Sequence, residues 1–98
     1  MNYEFHPEAL VEFEEAARYY ESRQGELGTR FIEVIEEAFR EICAAPARWR
    51  IFEEDVRRYL VHVFPFAVLY SVERDYVLII AVMHCSREPS YWKHRIAR

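Results

Sequence analysis

Residues Val56 to Met83 read VRRYLVHVFPFAVLYSVERDYVLIIAVM, and this stretch decides the fold class. β-Branched and aromatic residues dominate it, and its apolar positions recur with a period of two rather than that of a helix. Three strands are predicted, over Val56 to Phe64, Ala67 to Val72 and Val77 to Met83. Pro65 marks one turn and Glu73-Arg74-Asp75 the next, and connections this short join antiparallel neighbours. The run Val77-Leu78-Ile79-Ile80-Ala81-Val82 has no polar residue on either face, which places it centrally in the sheet.

Working back toward the N-terminus, Tyr3 to His6 alternates briefly and is stopped by Pro7. This reads as a first strand, beside the central one, feeding a helix with proline in its first turn. Leu10, Phe13, Ala17 and Tyr20 then form one apolar stripe, predicting helix from Pro7 to Arg23. Gln24-Gly25-Glu26-Leu27-Gly28 breaks it, with Gly25 placed as a left-handed cap. Phe31, Ile35, Ala38 and Ile42, widened by Val34 and Phe39, line a second helix ending near Ala44, before Pro46. Trp49 is placed as a plug at the entry to the sheet. The expected architecture is α+β, in the order β-α-α-β-β-β: a helical hairpin packed on one face of a small, mainly antiparallel four-stranded sheet.

Ninety-eight residues, 52% of them hydrophobic and 16% aromatic, suit one domain over 1–98 whose core needs neither disulfide nor metal. There is no charged stretch followed by an apolar run at the N-terminus and no run of membrane-spanning length, so a soluble cytoplasmic protein is expected. Cys43 and Cys85 are far apart and read as reduced thiols. Cys85, His84 and His62 could be imagined around zinc, but no ligand pair has the spacing that closes such a site. No metal or cofactor is expected. Paired carboxylates at metal spacing, a glycine-rich phosphate loop and a nucleophile elbow are all lacking.

Charge is split along the chain. Residues 1–45 hold eleven acids against four bases, and residues 46–98 six acids against nine bases. The net charge of −4 argues against a general nucleic-acid coat and leaves room for a local basic face. Alternation on the first meander strand sends Tyr59, Val61 and Val63 toward the helices and Arg58, Leu60, His62 and Phe64 to the open face. The end of the third strand can bring His84 and Arg87 near them. Arg58, His62, Arg87 and Tyr91 together would supply phosphate donors and a titrating imidazole. The same groups would also serve as a solvated surface answering the helices' glutamates. Tyr91 and Trp92, in the run His84-Cys85-Ser86-Arg87-Glu88-Pro89-Ser90-Tyr91-Trp92-Lys93-His94-Arg95, are costly to leave in water and imply that this tail docks somewhere.

Phe5-His6-Pro7-Glu8-Ala9, Leu27-Gly28-Thr29-Arg30-Phe31, Pro46-Ala47-Arg48-Trp49, Arg57-Arg58-Tyr59-Leu60, Phe64-Pro65-Phe66-Ala67-Val68-Leu69-Tyr70 and His84 to Trp92 occur in an order that resembles the RelE/ParE superfamily of type II toxins, also called plasmid stabilisation proteins. The resemblance implies a bacterial growth-inhibiting toxin neutralised by a small cognate antitoxin. RelE-like members are ribosome-dependent messenger RNA endonucleases with a basic cluster, and its places fall here on Arg58, Leu60, His62, Arg87 and Tyr91. Leu60 breaks that set, and the chain has a single lysine, Lys93. ParE-like members instead poison DNA gyrase, and the resemblance is closer to that side. The alternatives are a metal-independent endoribonuclease acting on ribosome-bound mRNA through Arg58, His62, His84, Arg87 and Tyr91, and a degenerate relative that only binds antitoxin. The residues expected to meet target or partner are Arg57, Arg58, Arg87, Tyr91, Trp92 and Arg95.

Overall fold

Strand β1 (Asn2–Phe5) ends where Pro7 withdraws a backbone donor, and the chain turns at once into helix α1 (Pro7–Arg23). The His6 Nδ1 accepts the Glu8 N–H at 3.1 Å, satisfying one of the free donors of the first turn. These elements come from a computed structural model in which residues 1–96 are described; the expected domain, 1–98, extends two residues past them. Helix α2 (Leu27–Ala44) follows, then β2 (Ile51–Glu53), β3 (Val56–Leu60), β4 (Phe66–Val72), β5 (Tyr76–His84) and a 3-10 turn at Lys93–Ile96.

The two helices approach closely at Gly28, where a Cβ would stand 2.6 Å from the Ala17 carbonyl oxygen and 2.7 Å from the Glu21 Cβ. Only glycine fits there. Glu21 in turn caps α2 from the preceding helix, its carboxylate accepting the N–H groups of Glu26 and Gly28. The left-handed residue of the connection is Glu26, with φ 71°, and not Gly25 as expected. On α1 the buried stripe runs through Ala9, Phe13 and Ala17, while Leu10 is 38% exposed.

The sheet has five strands in the order β1-β5-β4-β3-β2, one more than expected. The addition is β2, which pairs antiparallel with β3 through Ile51↔Arg57 and Glu53↔Val56. Three residues flanked by Arg50 and Glu54-Asp55 carry too little alternation to announce a strand. As expected, β5 is interior, with β1 parallel on one side and β4 antiparallel on the other. The register of β4 on β5 shifts between Leu69 and Tyr70, so Ile80 and Ala81 both join the apolar cluster on the face away from the helices.

Strand β3 stops at Leu60, four residues short of the expected Phe64. Val63 adopts φ 76°, a conformation that β-branched residues avoid. Period two is lost there, and Phe64 turns into the helix-side core, where Phe31 meets Phe64 and Phe66 at 5.1 and 5.0 Å. Phe39 gathers Tyr3, Phe5 and Phe13 in the same way. Trp49 packs on Tyr59 at 4.9 Å, filling the entry to the sheet. The Tyr59 hydroxyl donates to Glu41 and the Tyr70 hydroxyl to the Pro46 carbonyl. Burial pushes both phenols up to about 12, and for Tyr59 the Glu41 carboxylate adds to it.

Candidate functional site

The cation-rich segment after β5 docks back on the molecule. A chain of turns, Cys85 N–H to the Pro65 carbonyl, Arg87 N–H to the His84 carbonyl and Tyr91 N–H to the Glu88 carbonyl, folds it over the sheet face opposite the helices. Trp92 is fully buried there among Val56, Ala67, Leu69, Ile80 and Met83, with its indole N–H donating to the Pro89 carbonyl at 2.6 Å. Expected at the partner surface, Trp92 is instead core. The sheet's second face is an apolar layer that needs a lid, and the largest side chain of the tail supplies it.

One carboxylate fastens this strap. Because β1 is four residues long, its pairing with β5 ends at Phe5↔Ile79. Beyond that point the β5 edge needs other partners. Glu12 of α1 accepts the Val82 N–H at 3.0 Å, and Arg95 donates to the Ile80 carbonyl at 3.0 Å. Arg95 also grips Glu12 with both terminal nitrogens at 2.9 Å, and the Tyr91 hydroxyl donates to Glu12 at 2.5 Å. The Arg95 side chain is only 5% exposed. Burial opposes its charge, but the hydrogen bonds and field of Glu12 outweigh that and hold it raised. Burial, then the hydrogen bond to Glu12, pushes the Tyr91 phenol well above its ordinary range. Arg95 and Tyr91, expected to face a partner, are thus engaged within the chain.

Arg87 stays half-exposed at the edge of this cluster. Its side chain is 53% exposed, 3.9 Å from Glu12 and 3.8 Å above the Tyr91 ring. With Pro7, Glu8, Val11 and Arg95 it lines a shallow groove. His94 pairs with Glu8 at 2.9 Å, and this hydrogen bond lowers the Glu8 carboxyl. Lys93 pairs with Glu53.

The other sequence-predicted residues have surroundings of their own. Arg58 is on the strap face, its guanidinium 4.8 Å over the Phe52 ring in a small depression shared with Arg50. Arg57 turns to the loop before β2, donating to the carbonyls of Ala47 and Trp49 at 3.2 and 2.6 Å, and so acts as a clamp. His62 is not beside Arg58: with the strand ended at Leu60 it borders a groove against α2. His84 sits on the helix side, its ring 5.2 Å from Phe66 and its Nδ1 accepting the Ser86 N–H. Leu60 is 55% exposed. Cys85, His84 and His62 form no ligand set, and among the described residues no group of three such side chains gathers. The arrangement can hold an anion at Arg87 or at Arg50 and Arg58, but it does not bring His62, His84 and Arg58 together with the Tyr91 hydroxyl, which is committed to Glu12.

Sequence reasoning missed Glu12, which stands off the apolar stripe of α1, and Phe52. Nothing near Glu12 marks it, since its partners lie 70 to 83 residues away.

A family model described as the ParE toxin of the type II toxin-antitoxin system, parDE, matches residues 3–89. The strap residues Tyr91 to Arg95 lie beyond that match. A solved structure titled "Chromosomal ParDE TA system from P. aeruginosa" shares the fold with a TM-score of 0.75 and 18% identity, over 86% of this chain and 95% of that one. No curated protein matches this chain.

Proposed function

This chain belongs to the ParE toxin family of type II toxin-antitoxin systems, and we propose that it acts by binding and poisoning DNA gyrase, until a cognate antitoxin neutralises it. The dispersal of the RelE-type residues supports a binding poison over a nuclease. Arg58 lies on one sheet face, His62 and His84 on the other, and the Tyr91 hydroxyl is committed to Glu12. A phosphoryl transition state needs such groups preorganised around one phosphate. In this reading residues 1–98 act as one domain in the cytoplasm, and Arg87 and Arg58 remain the basic groups for target or partner, Arg57 being engaged with the Ala47 and Trp49 carbonyls. Among the described residues no helix is long and apolar enough to cross a membrane.

The test is purified protein in two assays. Gyrase supercoiling should be inhibited, or gyrase trapped on DNA, while ribosome-bound message stays intact. Codon-spaced cleavage of message, lost in Arg58→Ala or Arg87→Ala, would overturn the proposal and install the endonuclease. A chain that binds antitoxin yet affects neither assay would be the degenerate relative.

A further inference from the structure

The ribbon of β2 and β3 carries two arginines at its open end. The Arg58 N–H donates to the Arg50 carbonyl at 3.1 Å, and the two side chains line a depression of about 220 Å³ with Ile51 and Phe52. The Arg58 guanidinium rests 4.8 Å over the Phe52 ring, which in turn stands 6.4 Å from the buried Trp92. A platform anchored in the core thus holds the cation in place. Arg40, Arg87 and Arg95 are ion-paired with carboxylates, but among the described residues no ion pair engages Arg50 or Arg58. Glu53 of β2 is taken by Lys93, and Glu54 and Asp55 form the turn at the other end of the ribbon. The acids concentrate elsewhere: residues 1–45, which form β1 and both helices, hold eleven against four bases. The helices cover the sheet face opposite Arg58, so the field of the molecule favours presenting the strap face to a polyanion.

We propose that Arg50 and Arg58 grip the phosphodiester backbone of duplex DNA, so that the toxin itself touches the DNA on which gyrase works. The inference rests on the gyrase reading above and adds a DNA contact of the toxin's own. Planar guanidinium forks pair well with phosphate oxygens. A single strand would need free aromatic faces on which to stack its bases, and those of β2 and the strap are taken. Phe52 lies under Arg58, Tyr91 lies under Arg87 and Arg95, and Trp92 is buried.

The experiment is fluorescence anisotropy of the full chain with short labelled DNA duplexes of two unrelated sequences, over a series of salt concentrations. Wild type should bind both alike, since phosphate contacts carry no sequence information. Arg50→Gln and Arg58→Gln should melt close to wild type and each bind about tenfold more weakly. Each should also lower the slope of log affinity against log salt by about one. Arg58→Lys keeps the charge and should keep that slope, and Arg30→Gln, exposed on α2, should change nothing. Duplex affinity indifferent to Arg50→Gln and Arg58→Gln, tighter binding of single-stranded RNA, or equal binding of polyglutamate overturns the assignment. Gyrase inhibition undiminished in the double variant also overturns it, with the gyrase reading intact. Wild type that binds duplexes in this manner yet leaves gyrase untouched removes the gyrase reading and sustains the grip on DNA.

Discussion

The two faces of the sheet are covered by different means. On one, α1 and α2 lay down a continuous apolar surface, with Phe31, Ile35, Phe39 and Ile42 each fully buried. On the other, a strap of irregular chain covers the sheet through one indole and one carboxylate-centred cluster. Burial spread over many side chains tolerates loss of any one of them better than a cover fastened at two points does. The strap is therefore where single substitutions should act most locally and most strongly.

The largest effect is expected at the indole. Trp92→Ala should destabilise by about 3–5 kcal/mol, similar to Phe31→Ala, but the two should differ in what opens. Hydrogen exchange of residues 85–96 should accelerate in Trp92→Ala while the amides of α2 keep their protection. Equal loss of protection in α2 would show that the two faces form one cooperative unit, and the contrast would fail.

Glu12→Ala comes next, at about 3 kcal/mol, because it leaves the buried Arg95 with only the more distant Glu8 carboxylate, 3.8 Å away, and the Val82 N–H without its acceptor. The double variant Glu12→Ala/Arg95→Ala should recover part of that loss. Denaturant unfolding of the three proteins gives the coupling, and strictly additive losses would mean that the pair is not a fastener.

Alkali should act on both faces. Tyr59 and Tyr70 on the helix side are pushed up to about 12, and Tyr91 under the strap is raised further. The unfolded chain releases these protons near pH 10, before the folded chain does. Stability from these groups is thus whole below pH 10 and falls as pH rises through the folded values. Tyr91→Phe should flatten part of that decline by removing one of the three groups. Melting curves from pH 8 to 11, followed by phenolate absorbance, would reveal an unchanged slope if the assignment is wrong.

The smallest effect belongs to His94 and Glu8. Glu8 has its carboxyl lowered chiefly by the hydrogen bond from His94, so the stability it adds is present above its unfolded value near pH 4.5 and lost as pH falls through the folded one. At this exposed site the contribution is slight. His94→Ala should change acid unfolding a little and leave neutral stability almost untouched, and a large loss at neutral pH would promote this contact to a third fastener.

Periodicity carried most of the fold. The bounds of α1 and the buried face of α2 follow from apolar residues three and four apart, and the central place of β5 follows from a run without polar residues. Both are properties of a few adjacent residues, so a single chain discloses them. The resemblance likewise pointed to the toxin family that the match over residues 3–89 established.

The tertiary structure alone decided where the polar residues went. Glu12 looks like any solvated helix residue until the short β1 leaves the upper edge of β5 in need of other partners, and Arg95 and Tyr91 look like groups that face a partner until Trp92 buries itself. The end of β3 at Leu60 takes His62 away from Arg58, and the positive φ at Val63 accompanies the inward turn of Phe64, a break in alternation that no β-branched residue advertises. Apolar patterning is decided within one turn or one pleat, whereas an ion pair across 83 residues depends on how far a strand at the other end of the chain extends.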